Sequence, residues 1–125
     1  REAVDIPVVA NGEVWNWDDY QRCIEVSGCA DVMIGRGLIA RPDLAKAIKH
    51  HQLNETFSSY NWDRVLKLVE FYLNRVEQDI AAKYVHGRLK QWLHHLQREY
   101  QEAGVLFQKI RKLKEPSSLR LALYD

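Results

Sequence analysis

The spacing of apolar residues changes once along this chain, and the change divides it in two. Ile6-Pro7-Val8-Val9-Ala10 is a short unbroken apolar run that stops at Asn11-Gly12, the pattern of a buried parallel strand with a loop at its carboxyl end. Trp15 to Ser27 reads as a helix: Asn16 caps it, Asp18 and Asp19 suit its positive amino terminus, and Gly28 stops it. Val32-Met33-Ile34 is a second buried strand, cut off by Gly35-Arg36-Gly37. A further helix begins near Pro42, a residue at home in a first turn, and runs to about His50. Strand, helix, strand, helix within so short a stretch predicts a parallel α/β unit. Two strands do not make a stable sheet alone, so the pattern calls for partner strands elsewhere, expected upstream.

The stretch from His50 to Asn61 is polar and aperiodic, and reads as a linker. Beyond it every strong pattern is helical. Trp62, Val65, Leu66, Val69, Tyr72, Leu73 and Val76 recur at three-and-four spacing behind Asn61, a fitting cap. Val85, Leu89, Trp92, Leu93, Leu96 and Tyr100 make a second stripe, and Leu106, Ile110 and Leu113 a third. Ser117 is the expected cap of a short last helix bearing Leu119, Leu121 and Leu123. Four helices on short turns predict a small bundle.

Composition adds bounds. With 46% hydrophobic and 28% charged residues the chain is an ordinary globular sequence. It has no apolar run of about 18 residues, so no membrane span is expected. It opens on the charged stretch Arg1-Glu2-Ala3-Val4-Asp5, has no initiator Met and reaches a core-type strand almost at once, which is the pattern of a piece of a longer protein. Cys23 and Cys29 form no disulfide framework, and a reducing, cytoplasmic setting is expected. Charge sharpens the division: residues 1–59 carry 6 Lys+Arg against 9 Asp+Glu, a net of −3, and residues 60–125 carry 12 against 8, a net of +4. Within residues 80–114 the count is 8 against 2, a net of +6, which suits a polyanion.

The candidate chemistry sits where the strands end. Asn11-Gly12-Glu13 follows the first strand and Gly35-Arg36-Gly37 the second. Loops at the carboxyl ends of parallel strands are where α/β folds bind ligands. Glycine lets backbone N–H groups approach an anion closely, Arg36 offers a two-pronged contact to phosphate oxygens, and Asn11 can donate through its amide. A lone Gly-Arg-Gly also describes two turn glycines beside a surface arginine, and Glu13 serves equally as a helix-entry carboxylate. The pairing of two such loops, one βα unit apart, favours the phosphate reading.

In the helical part, Lys90, His94 and Arg98 are spaced as one face of a helix, with Arg88, Gln91 and His95 on an adjoining stripe, both away from the Leu89/Trp92/Leu96 side. Lys109, Arg111, Lys112 and Lys114 crowd the following helix. This is either a solvated face or a surface for RNA phosphates, with Arg88, Lys90, His95 and Arg111 first among the candidates, then Lys83 and Arg98. Trp92 reads as core. His50-His51 and His94-His95 are adjacent pairs without the spacing of metal ligands, and no metal site is expected. Cys23 and Cys29, with no base nearby in sequence, read as packing thiols.

Here the sequence resembles a known family. Val8-Val9-Ala10-Asn11-Gly12-Glu13 and Val32-Met33-Ile34-Gly35-Arg36-Gly37 are similar to the last two strand ends of the tRNA-dihydrouridine synthase barrel. Lys90-Gln91-Trp92-Leu93, with Leu96 and Tyr100, resembles that family's carboxyl-terminal helical domain, especially in the bacterial C-type subfamily. The likeness covers nearly the whole chain. Met33-Ile34-Gly35-Arg36-Gly37 is shared with other flavin barrels and so speaks for the cofactor; the helical segment speaks for the family. One departure is that Asp31 follows Gly28-Cys29-Ala30 where the family commonly has Gly-Ala-Asp, and another is a longer linker.

The resemblance implies an α/β barrel remnant, the last two βα units of a TIM barrel, over residues 1–50, a linker over 51–60, and an all-α helical tRNA-binding domain over 61–125. It implies an oxidoreductase that reduces a D-loop uridine of tRNA, at position 16 in the C-type subfamily, with FMN as hydride carrier and NADPH as reductant. Asn11, Gly12, Glu13, Gly35 and Arg36 would line the FMN phosphate and ribityl chain, with Gly37 added on geometry. The catalytic cysteine of the family belongs to an earlier barrel loop, so the 125 residues alone are expected to be inactive. The whole protein is expected to be a monomer, and the fragment to self-associate through bare strand surface. Two rivals stay open: a flavin-barrel oxidoreductase for a small molecule, and a non-enzymatic RNA-binding helical module.

Overall fold

The computed structural model describes residues 6–125; Arg1 to Asp5, the first residues of the expected barrel remnant, lie outside them. The chain divides into two compact units, Arg1–Ser59 and Tyr60–Asp125.

In the first unit, β1 (Val9–Asn11) pairs in parallel with β2 (Asp31–Met33), in the register Val9↔Asp31, Ala10↔Val32, Asn11↔Met33. Between them runs α1 (Trp17–Ser27). Asn16 caps it by accepting a hydrogen bond from the Asp19 N–H, and Gly28 ends it at φ +69°, a left-handed conformation that favours glycine. A five-residue helix, α2 (Arg36–Ala40), follows β2, and α3 (Leu44–Gln52) follows α2. The apolar alternation does not register a helix as short as α2. The later helix starts two residues beyond Pro42 and outlasts His50. It closes with a paired motif: the Glu55 N–H bonds to the His50 carbonyl and the Asn54 N–H to that of His51, with Asn54 at φ +55°. The start of the expected linker is therefore helix and helix cap.

The first unit's core is small. Val14, Leu44 and Ile48 are buried, with Trp17, Tyr20, Val32, Ile34 and Leu38 packed against them. Buried Asp43 is held by the Arg41 guanidinium at 2.9 Å, which also donates to Ser59 Oγ at 3.2 Å. His51 stacks on Trp17 with ring centroids 5.1 Å apart, and His50 on Phe57 at 5.0 Å. The outer strand faces are bare: Val9 is 56% exposed, Met33 61% and the neighbouring Val26 82%.

The second unit is a four-helix bundle of α4 (Trp62–Asp79), α5 (Ala82–Leu96), α6 (Gln101–Ile110) and α7 (Pro116–Ala122). Asn61 caps α4 by accepting from the Arg64 N–H. The expected stripes supply the core: Val65, Leu66, Val69 and Leu73 meet Val85, Leu89, Leu93 and Leu96, and Leu106, Ile110 and Leu119 complete it. Trp92 packs edge-on against Tyr72 at 4.9 Å, as core. Three details differ from expectation. Tyr100 lies beyond α5, at the start of α6, where its hydroxyl donates to the Tyr60 carbonyl. Leu113 follows α6 rather than belonging to it. The last helix is opened by Glu115 with Pro116 in its first turn, not by Ser117, because proline presets the helical φ. No helix among the described residues is long and apolar enough to cross a membrane.

Candidate functional site

Parallel pairing in register puts the carboxyl ends of β1 and β2 side by side, and so brings the two glycine-bearing loops together. One cleft of about 390 Å³ is lined by Asn11, Gly12, Glu13, Val14, Trp15, Gly35, Arg36 and Gly37. All six residues singled out in the two loops line it. Val14 and Trp15, which the motif did not single out, complete the wall; the aromatic two places after Glu13 was the available signal.

The loops are joined by a contact. Arg36 Nη2 donates to Glu13 Oε1 at 2.8 Å, and the guanidinium lies over the Trp15 ring, 5.9 Å from its centroid. Both partners of the pair are largely exposed, 64% and 72%.

The glycines differ in what they leave open. A Cβ on Gly37 would sit 1.9 Å from the Val14 carbonyl oxygen and 3.1 Å from Leu44, so Gly37 is required by the packing of α2. At Gly35, which lines the cleft, a Cβ would meet nothing within 4 Å, so the space beside it is open. At Gly12 it would come 3.3 Å from Cys23 Sγ, on the side of a second cavity of about 310 Å³ between β1 and α1.

In the helical unit the candidate cations part company. Arg88 is exposed on α5, as is Lys83, whose ammonium lies 5.0 Å from the Tyr84 ring centroid. Lys90 is turned toward the bundle: Nζ donates to the Leu113 carbonyl at 2.7 Å and to His86 Nδ1 at 3.1 Å. Its position on α5 is off the Leu89/Leu93 side, as the spacing predicts, but its side chain does not project freely from the helix. Burial first, and then the positive charge of Lys114, lower the Lys90 pKa. His86, absent from the sequence candidates, is also lowered, by burial and then by Lys90 and Lys114. His95 is half-buried, its ring 5.8 Å from that of His94. Arg98 falls after α5 and so is off the helix face that the spacing gave it. Arg111, Lys112 and Lys114 likewise follow α6, all exposed. Lys109 closes the carboxyl end of the chain, donating to the carbonyls of Ala122 at 2.9 Å and Asp125 at 2.8 Å. Among the described residues no group of three or more His, Cys, Asp or Glu side chains is placed to hold a metal ion.

A strand pair with a cleft at its carboxyl ends, followed in the chain by a helical unit rich in cations, defines a two-part α/β and all-α protein. Residues 1–121 match the family model described as dihydrouridine synthase (Dus), and the chain belongs to that family. It is 41% identical over 112 residues to the tRNA-dihydrouridine(16) synthase of Pseudomonas putida, covering 90% of this chain and 35% of that protein. To the enzyme of the same name from Haemophilus influenzae it is 39% identical over 126 positions, 100% of this chain and 39% of that protein. To that of Escherichia coli K12 it is 37% identical over 123 residues, 98% and 38%. The chain thus spans little more than a third of the length of these relatives.

Proposed function

We propose that this chain supplies the phosphate-holding end of the flavin barrel and the RNA-gripping helical domain of a tRNA-dihydrouridine synthase. In this reading residues 1–50 are the last two βα units of the barrel, and residues 61–125 hold tRNA. The whole protein reduces a uridine to 5,6-dihydrouridine, with NADPH as the reductant. Position 16 is the assignment supported by the names of the relatives.

The observation that carries the proposal is the single cleft bounded by both glycine loops. The residues fit an FMN phosphate. Open space beside Gly35 gives room for the anion, and the guanidinium offers N–H donors beyond the one committed to Glu13. Asn11 and Gly12 line the same wall and offer an amide and a bare backbone. Glu13 orients the Arg36 fork and suits a ribityl hydroxyl better than the phosphate, since like charges repel. Bound FMN supplies hydride chemistry; the residues here bind and orient its tail. Neither thiol is a candidate for protonating the uracil: Cys29 is buried, and Cys23 sits behind Gly12. The proton donor and the flavin-ring contacts are therefore assigned outside this chain. The base must also leave its stack to be reduced, which makes a separate grip on the RNA useful. The cations of α5 and of residues 111–114 meet that need.

Two measurements on the full-length protein test the reading. The Arg36→Ala variant is expected to lose flavin while still binding tRNA, and Arg88→Ala to weaken tRNA binding while keeping flavin. A protein that retains full flavin in the first case and unchanged RNA affinity in the second does not work this way. Tight tRNA binding with no flavin would instead favour the RNA-binding module, and flavin without any tRNA affinity a small-molecule oxidoreductase.

A further inference from the structure

The helix α5 carries a glycine where the fold has no use for one. Gly87 lies near the middle of this helix, and a Cβ there would meet nothing within 4 Å. Glycine in a helix interior costs about 1 kcal/mol relative to alanine. Its φ is not in the left-handed range, so no turn or strain requires it. The core residues Val85, Leu89, Leu93 and Leu96 occupy the opposite side of the helix, which leaves Gly87 at the centre of the outer face.

The surroundings of this bare point are basic. Lys83 and Lys90 stand one turn before and one turn after it, at the spacings that share a face. His86 Nδ1 must accept from Lys90, because an ammonium only donates, so the imidazole carries its proton on Nε2 and remains a donor. Lys90 has used two of its three donors, on His86 and on the Leu113 carbonyl. Lys114 follows directly after that carbonyl's residue and is close enough to act on both His86 and Lys90. Elsewhere in the unit Arg75 pairs with Asp79, and Arg120 with Glu77. Among the described residues no carboxylate forms an ion pair with Lys83, Lys90 or Lys114. Lys90 and Lys114 thus lie close together beside an uncovered stretch of helix, with Lys83 one turn before it, and none of the three is neutralised by a carboxylate among the described residues.

We propose that Gly87 marks a contact point for an RNA backbone phosphate, which lies against the bare turn of α5 between Lys83 and Lys90 and is also reached by His86 and Lys114. The absence of a side chain lets the phosphate approach the helix surface and the flanking ammonium groups, and the anion relieves the repulsion between Lys90 and Lys114. The proposal rests on the RNA-gripping reading above and gives it a location.

Gly87→Ala in the full-length protein tests it, because helix propensity and binding then pull in opposite directions. The variant is expected to melt about 2–8 °C higher, the shift for a gain of roughly 0.5–1 kcal/mol in a domain of this size. Its tRNA affinity should fall, and the slope of log affinity against log salt should shrink by about 0.7–0.9, the value of one lost phosphate contact. Higher stability with unchanged affinity and salt slope overturns the proposal. So does a lower melting temperature, since the space at Gly87 would then not be open. Arg88→Ala and Lys114→Ala, measured alongside, separate the two levels. If both weaken tRNA binding and Gly87→Ala does not, only the Gly87 contact falls; if none of the three changes binding, the RNA-gripping reading falls with it.

Discussion

Arg36 and Glu13 hold the two strand-end loops together across the cleft, Nη2 to Oε1 at 2.8 Å. An exposed pair of this kind contributes only about 0–1 kcal/mol to stability, so its residues are free to serve a ligand. Arg36→Ala in the full-length protein is expected to weaken FMN binding about tenfold to a hundredfold, from the roughly 1.5–3 kcal/mol of a hydrogen bond to a charged group. The melting temperature of the flavin-free protein should barely move. Glu13→Gln keeps an oxygen that can accept from the guanidinium and from a ribityl hydroxyl, so FMN affinity should fall by less than in Arg36→Ala. Flavin fluorescence titrations decide; an equal loss in the two variants would mean that the guanidinium is not the principal contact to the phosphate.

Gly35 and Gly37 are two residues apart and predict opposite phenotypes. Gly37→Ala drives a methyl group into the Val14 carbonyl oxygen, and should destabilise the first unit by about 1–3 kcal/mol or more through forced backbone shifts. Gly35→Ala meets open space, so stability should change by no more than about 0.5 kcal/mol. Because Gly35 lines the cleft, a methyl group there should lower FMN affinity. Thermal unfolding of the flavin-free protein together with flavin titration separates the two. A stable Gly37→Ala variant would contradict the packing described.

Arg88 and Lys90 are two places apart on α5 and differ in setting, Arg88 exposed and Lys90 bonded to the Leu113 carbonyl. Arg88→Ala should reduce tRNA affinity and flatten its salt dependence by about 0.7–0.9 in log–log slope, with little change in melting temperature. Lys90→Ala removes the donor to the Leu113 carbonyl, and the unsatisfied group should cost about 1–3 kcal/mol of stability. Thermal melts and filter binding over a salt series check both; a Lys90→Ala variant of native stability would return that residue to the purely RNA-facing role its spacing suggested.

Much of this was legible in the sequence because local chemistry and tertiary need agreed. Asn16, Gly28 and Asn61 are strong caps, and each sits where the structure uses it. The two strand-end loops were legible for the same reason: a strand of known direction fixes which end its loop faces. Several differences share one cause, which is that spacing cannot say where a helix stops. Arg98, Tyr100 and Leu113 continue the period of the helix before them, yet each lies beyond its end, after turns with no glycine to announce them. Lys90 differs for another reason: a long side chain can bend from its own face to reach a carbonyl of a neighbouring segment, which spacing does not reveal. The end of α3 turns on Asn54, whose left-handed conformation is a weaker signal than glycine.

The last prediction concerns the strands. β1 and β2 pair only with each other among the described residues, so each offers an unpaired edge. Val9, Met33 and Val26 present apolar surface beside those edges. Both features invite another chain, the edges by backbone pairing and the side chains by burial. The 125-residue chain expressed by itself should therefore self-associate through its first unit, with an apparent mass that rises with concentration in light scattering. Val9→Lys with Met33→Glu should reduce association, by placing charges where apolar faces would meet. Residues 60–125 have their own buried core and should remain monomeric when expressed separately. A strictly monomeric 125-residue chain at all concentrations would mean that these strands need no further partner.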